Sequence, residues 1–137
     1  MEKSKTVGQT KSAGFEFGLR KTFDVSKHKL WEFLFTKEAL KLWLGTIDAD
    51  ALEEKAEFKT KEGTTGEVRV LKPGSHIRFT WQPKGETGFS AVQVRVLEAK
   101  GKSTLAFHHD KLRDAAHREQ MQKHWNDVME KISRKIS

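Results

Sequence analysis

The chain has 137 residues, a formal net charge of +7 and no cysteine. A chain of this size buries roughly two-thirds of its unfolded surface in one core, and the lack of cysteine excludes disulfide frameworks, thiolate metal sites and thiol catalysis. Lysine and arginine are interleaved with acidic residues almost everywhere, with no arginine-rich run, base-stacking motif or zinc ligand set, so nucleic-acid binding is not expected.

Residues 1–12 are polar and aperiodic and read as a flexible N-terminal arm, followed by a single domain over residues 13–137. The arm carries Glu2, Lys3, Lys5 and Lys11 but no apolar block, so it lacks the core of a secretory signal. No apolar run nears the roughly 18 residues of a membrane span, and a cytoplasmic location is expected.

From Phe15 the chain alternates with a period of two, which predicts a first strand to about Phe23 with an aromatic face. Ser26 then offers a cap for a short helix carrying Leu30, Trp31 and Leu34. Thr36 offers another for Lys37 to Leu44, with Gly45 as the stop. The acidic stretch from Ile47 to Glu54 lacks the glycine and terminal glutamate of a calcium loop and reads as a solvated connection.

Period two then resumes. Ala56 and Phe58 mark a short second strand, and Val68 and Val70 mark a third with both valines on one face. Lys72-Pro73-Gly74-Ser75 is a turn of type II character, after which Ile77, Phe79 and Trp81 point one way. A turn over Pro83 to Gly88 leads to the longest strand, with Val92, Val94 and Val96 inward. A sixth, from about Lys102 to His109, sets Leu105, Phe107 and His109 on one side. Asp114 to Ser137 has sustained helical periodicity, with Met121, Trp125, Val128, Met129, Ile132 and Ile136 in one stripe and Asp114 as cap.

An antiparallel meander with one apolar face needs a cover, and the terminal helix supplies a complementary stripe. The predicted architecture is an α+β helix-grip fold. A curved six-stranded antiparallel sheet wraps a long C-terminal helix, with two short helices between the first and second strands.

Several local patterns carry a family likeness: Thr36, Leu40 and Trp43; Gly66-Glu67-Val68 followed by Pro73, Ile77, Phe79, Thr80 and Trp81; and Trp125 with Val128 and Ile132. In these the chain, from about Phe15 to Ile136, resembles the bacterial relatives of the activator of the heat-shock protein 90 ATPase. That family lies within the superfamily of START-like and birch-pollen-allergen-like domains. The resemblance implies a cavity between the long helix and the concave sheet that often takes a small hydrophobic or aromatic ligand; it does not imply catalysis, and no cofactor is expected. It also implies, as an alternative, a stress-response module that regulates a chaperone ATPase. The chain departs from the pattern at Glu53-Glu54-Lys55-Ala56, where relatives usually carry a glycine pair, and at His124, where they often have glycine. The eukaryotic activators' separate N-terminal chaperone-binding domain has no counterpart in this sequence, which weighs against carrying over the co-chaperone role.

The candidate pocket wall is Trp43, Phe58, Val68, Val70, Phe79, Trp81, Val94, Phe107, Met121, Trp125 and Met129. Apolar and aromatic lining with a few polar groups is what ligand sites require, although the same residues are also what an ordinary close-packed core requires. Trp81, Met121 and Trp125 are favoured as ligand contacts, since indoles stack on flat guests and methionine adapts to varied shapes. His109 shares a face with Leu105 and Phe107 and could orient a guest, but the plainer reading is a strand-end histidine half in water. A metal set from His108, His109, His117 and His124 is disfavoured. Adjacent strand residues face opposite ways, and His117 and His124 stand two turns, about 10 Å, apart. Apart from His109 and Glu57 the inward positions are apolar, and no nucleophile set or phosphate-cradling loop occurs, so these residues give catalysis no support.

Overall fold

The computed structural model describes residues 9–10 and 14–136. Its elements run β1 (Gln9–Thr10), β2 (Gly14–Phe23), α1 (Lys27–Leu34), α2 (Lys37–Trp43), a 3-10 turn (Ala49–Ala51), β3 (Glu57–Lys59), β4 (Thr65–Lys72), β5 (His76–Trp81), β6 (Ser90–Ala99), β7 (Lys102–Leu112) and α3 (Ala115–Ile136). The six predicted strands are present, in one antiparallel sheet of order β1-β2-β7-β6-β5-β4-β3. The sheet gains a seventh member from the predicted arm, where Gln9 and Thr10 pair with Phe15 and Gly14. The rest of that arm, and Ser137, lie outside the described residues.

The caps act where their side chains allow. Ser26 Oγ accepts from the Lys29 N–H at 3.1 Å and Thr36 Oγ1 from the Ala39 N–H at 3.2 Å, each satisfying a donor that a helix start leaves unpaired. Asp114 Oδ1 accepts from the His117 N–H at 2.8 Å and opens α3. The helix then runs 22 residues, about 33 Å at 1.5 Å per residue. Its stripe of Met121, Trp125, Val128, Met129, Ile132 and Ile136 is buried against the sheet. Burial of each such side chain contributes about 1.5–3 kcal/mol.

Inward residues alternate as the pattern requires on β5 (Ile77, Phe79, Trp81), β6 (Val92, Val94, Val96) and β7 (Leu105, Phe107, His109). β4 departs from strict alternation. Val68 lies opposite Phe79 but Val70 lies opposite Arg78, so two steps on β4 match one on β5 and a bulge falls at Arg69. The bulge turns Val70 to the outer face and brings Leu71, opposite Ile77, toward the core. A second bulge occurs where β7 leaves β2. Lys111 takes φ 62°, and Leu112 re-enters the core immediately before α3.

The rim at residues 53–56 forms a tight turn without glycine. Lys55 adopts φ 70°, and its N–H donates to the Val68 carbonyl at 2.6 Å. On the next strand Gly66, opposite Phe58, occupies a spot where a Cβ would sit 1.9 Å from the Thr80 carbonyl oxygen and 2.7 Å from Phe58 Cζ. Only a residue without a side chain lets these backbones approach. No helix among the described residues is long and apolar enough to cross a membrane.

Candidate functional site

The trough between sheet and α3 is walled by aromatic rings in mutual contact, and these fall into two groups. Near α2, Trp43 stands 6.0 Å from Phe79 between ring centroids, and Phe79 stands 5.8 Å from Phe58. The Trp43 indole donates to the Leu34 carbonyl at 2.8 Å, which ties α1 to α2. Farther along, toward the first half of α3, Trp125 lies 4.6 Å from Phe107, 6.1 Å from Trp81 and 4.7 Å from His124, while Trp81 lies 5.8 Å from His124. Val68, Val94, Met121 and Met129 fill the space around the rings and are buried as well. The predicted wall is therefore brought together apart from Val70, which the β4 bulge moves to the opposite face of the sheet.

His109 is at the centre of the second group and is wholly buried, not half in water. β7 continues to Leu112, three residues beyond the predicted end, so His109 is not at a strand terminus. Its ring bonds fix its protonation. The Trp125 indole N–H, which can only donate, reaches Nδ1 at 3.0 Å, so the proton resides on Nε2 and is donated to Ser90 Oγ at 2.7 Å. The Ser90 hydroxyl in turn donates to the Trp81 carbonyl at 3.4 Å. Burial, then the neighbouring His117, His124 and His108, lower the His109 pKa to about 3. Protonation at Nδ1 would also set two donors face to face. The imidazole is thus a neutral, doubly bonded brace between β6, β7 and α3, a poor base but a firm positioner of Trp125.

Two further histidines complete this end. His117 is buried at the start of α3, its ring 6.4 Å from that of His109, and its Nδ1 accepts from the Arg113 N–H at 3.1 Å. Burial first, and Arg113 next, lower its pKa. Burial chiefly lowers that of His124 too. His108 points to the outer face, where it meets Glu16 at 2.7 Å. Glu57, read as inward, is exposed on β3 opposite Glu67. Ser90 escaped the sequence reading, and His117 was weighed there only as a metal ligand, although it precedes Met121 by four and so continues the buried stripe.

Two polar atoms in the second group lack partners. The Trp81 Nε1 and His124 Nε2 atoms are buried without a hydrogen bond among the described residues, in side chains whose rings face each other. Trp81 is only 8% exposed. A narrow crevice of about 80 Å3 reaches this end from the surface. Glu86, Phe89, Lys111 and Arg113 lie along it with Ser90 and His117. An ion pair of Glu86 with Arg113, at 3.5 Å, spans its sides.

The sequence from residue 24 to 136 matches the model of one family, the activator of Hsp90 ATPase homolog 1-like proteins. The chain belongs to this family. Solved structures share its fold. CalU16 from Micromonospora echinospora matches with a TM-score of 0.74 and 18% identity over 90% of this chain and 78% of CalU16. A family member from Silicibacter pomeroyi gives 0.69 and 21% over 88% and 96%. An HSP90 activator from Plasmodium falciparum gives 0.65 and 19% over 83% and 89%. No curated protein matches the sequence. The helix-grip architecture is what this chain shares with these structures.

Proposed function

We propose that this chain binds, without catalysis, a small hydrophobic or aromatic molecule between the sheet and α3, at the end of the trough where Trp81, His124 and Trp125 meet. The observation that carries this reading is the pair of unpartnered buried nitrogens on Trp81 and His124. A buried donor left unsatisfied costs about 1–3 kcal/mol, and nearly every other polar group of this cluster is bonded. A flat guest bearing a carbonyl or similar acceptor would take the indole proton of Trp81 and stack on the ring of Trp125. The rings here are in contact, so the guest enters by parting them, and Met121 and Met129 are the side chains best able to adapt. Burial of apolar area at roughly 25 cal/mol per Å2 supplies the driving force.

The test is a titration with a panel of flavonoids and lipids read by amide and indole chemical shifts, preceded by native mass spectrometry of freshly purified protein. The expected result is a displaced Trp81 indole signal and affinity that drops in Trp81→Phe, which keeps the ring and removes the donor. Shifts confined to the outer face of the sheet, or equal affinity in Trp81→Phe, would count against the site.

A second reading, regulation of a chaperone ATPase, is favoured by the family match and by the Plasmodium activator that shares the fold. ATPase rates of a chaperone measured with and without this protein separate the two, because a carrier leaves the rate unchanged.

A further inference from the structure

The strand registers place one cationic row across the outer face of the sheet. Lys72 on β4 pairs with His76 on β5, His76 with Arg95 on β6, Arg95 with Ala106 on β7, and Ala106 with Arg20 on β2. Partners in an antiparallel ladder share a face, so all five side chains project to the same side, over a span of about 19 Å at roughly 4.8 Å per strand. The row contains no carboxylate. Among the described residues, no side chain pairs with Lys72, Arg95 or Arg20.

The neighbouring row differs. There Arg78 is held by Asp110 at 3.1 Å and His108 bonds to Glu16 at 2.7 Å, so both side chains already have carboxylate partners. Ala106, with the adjacent Gly18, gives a low floor between the stems of Arg20 and Arg95, and a shallow cavity of about 370 Å3 lies there. The two guanidiniums flank a methyl-sized floor, and each can take a carboxylate in the two-pronged geometry in which arginine binds most strongly. The proximity of positive charge registers at His76, whose pKa is lowered by burial and then by Arg95 and Lys72.

We infer that this row is a docking surface for an acidic segment of a partner protein, which lays carboxylates across Arg20, Arg95 and Lys72. A protein segment fits better than nucleic acid. The row holds no Phe, Tyr or Trp on which a base could stack, and its one ring, the His76 imidazole, is half-buried and bonded to Ser75 Oγ at 2.8 Å. The half-buried Val70 and Leu97 flank it and suit apolar side chains between the carboxylates. The surface is separated from the trough by the thickness of the sheet and does not depend on the ligand reading.

The test uses the full chain and a fluorescein-labelled glutamate-rich peptide at low salt, with a glutamine peptide of equal length and a single-stranded oligonucleotide as controls. The expected result is salt-sensitive binding of the glutamate peptide, weakened about tenfold or more in the double variant Arg20→Glu/Arg95→Glu. The double variant Lys131→Glu/Arg134→Glu makes the same change in net charge on α3 and should lose little. Amide shifts should centre on Ala106 and its strand neighbours, and Trp81→Phe should bind the peptide as the parent does. Equal loss in both double variants, no binding above the glutamine peptide, or tighter binding of the oligonucleotide through the same arginines would overturn the proposal.

Discussion

Trp125 donates its indole N–H to Nδ1 of His109 at 3.0 Å, and this one bond determines which imidazole nitrogen carries the proton. The same bond couples the position of α3 to the centre of β7. Removal of either partner is therefore felt on both sides of the trough.

Acid should weaken the fold through this histidine. The native pKa is about 3 and the ordinary value is 6.5. Above pH 6.5 neither folded nor unfolded chain is protonated there, so stability is independent of this group. As pH falls from 6.5 toward 3 the unfolded chain binds a proton that the native chain refuses, and stability declines by up to about 1.4 kcal/mol per pH unit. His117 and His124, lowered in the same direction, add to the slope. Urea unfolding at pH 7.5 and 5 should show a lower midpoint in acid, and His109→Gln should shrink the difference. A midpoint that does not move in the parent protein would refute the burial of His109.

Truncation of Trp125 should be severe. The residue is 0% exposed and touches Phe107, Trp81 and His124. Trp125→Ala is expected to cost about 3–5 kcal/mol. Trp125→Phe keeps most of the packing but leaves Nδ1 of His109 without its donor, for a loss of about 1–3 kcal/mol. Denaturant melts of the two variants, compared at neutral pH, give the order.

Gly66 should tolerate nothing larger. A methyl group there meets the Thr80 carbonyl, which is backbone and cannot rotate away. Gly66→Ala should destabilise by about 2–4 kcal/mol and weaken the β3–β4 pairing. Hydrogen exchange at Thr60 and Val68, whose N–H groups donate to the Thr64 and Ala56 carbonyls across this pairing, reads the local effect.

Lys55 offers the opposite case. Its φ of 70° is a left-handed conformation that costs a residue with a Cβ about 1 kcal/mol. Lys55→Gly should therefore raise the unfolding free energy by up to about 1 kcal/mol, less whatever the unfolded chain gains in freedom. Thermal melts of the two proteins suffice, and a clear loss of stability in Lys55→Gly would argue against the turn described.

Most of the architecture was legible because its signals are local. The 3.6-residue stripe of α3, the caps at Ser26, Thr36 and Asp114, and the Pro73-Gly74 turn each depend on neighbours in sequence, and each is found where the pattern puts it. Two departures have different causes. Val70 was misplaced because alternation predicts a face only while the ladder is regular, and the bulge at Arg69 resets β4. His109 was given its face correctly but not its depth, because β7 outlasts its apolar run to keep pairing with β2 and β6. The short β1 was invisible since two polar residues carry no periodicity. The Ser90–His109–Trp125 chain was out of reach for another reason. It joins three elements, and no spacing along one strand announces a hydrogen bond to the next.

The placement of β2 beside β7 has a consequence for how the molecule is made. The hydroxyls of Thr22 and Thr104 meet at 2.7 Å although they are 82 residues apart. Closing a loop of that length is entropically slow, and topologies dominated by such distant pairings fold in milliseconds to seconds. A nascent chain thus exposes the aromatic faces of β2 and β5 until β7 has been synthesised, and α3, the cover, comes last. During synthesis the vulnerable species is a half-built sheet with greasy strands uncovered, and chaperone holdases or slowed translation near residue 100 should raise the yield of native protein.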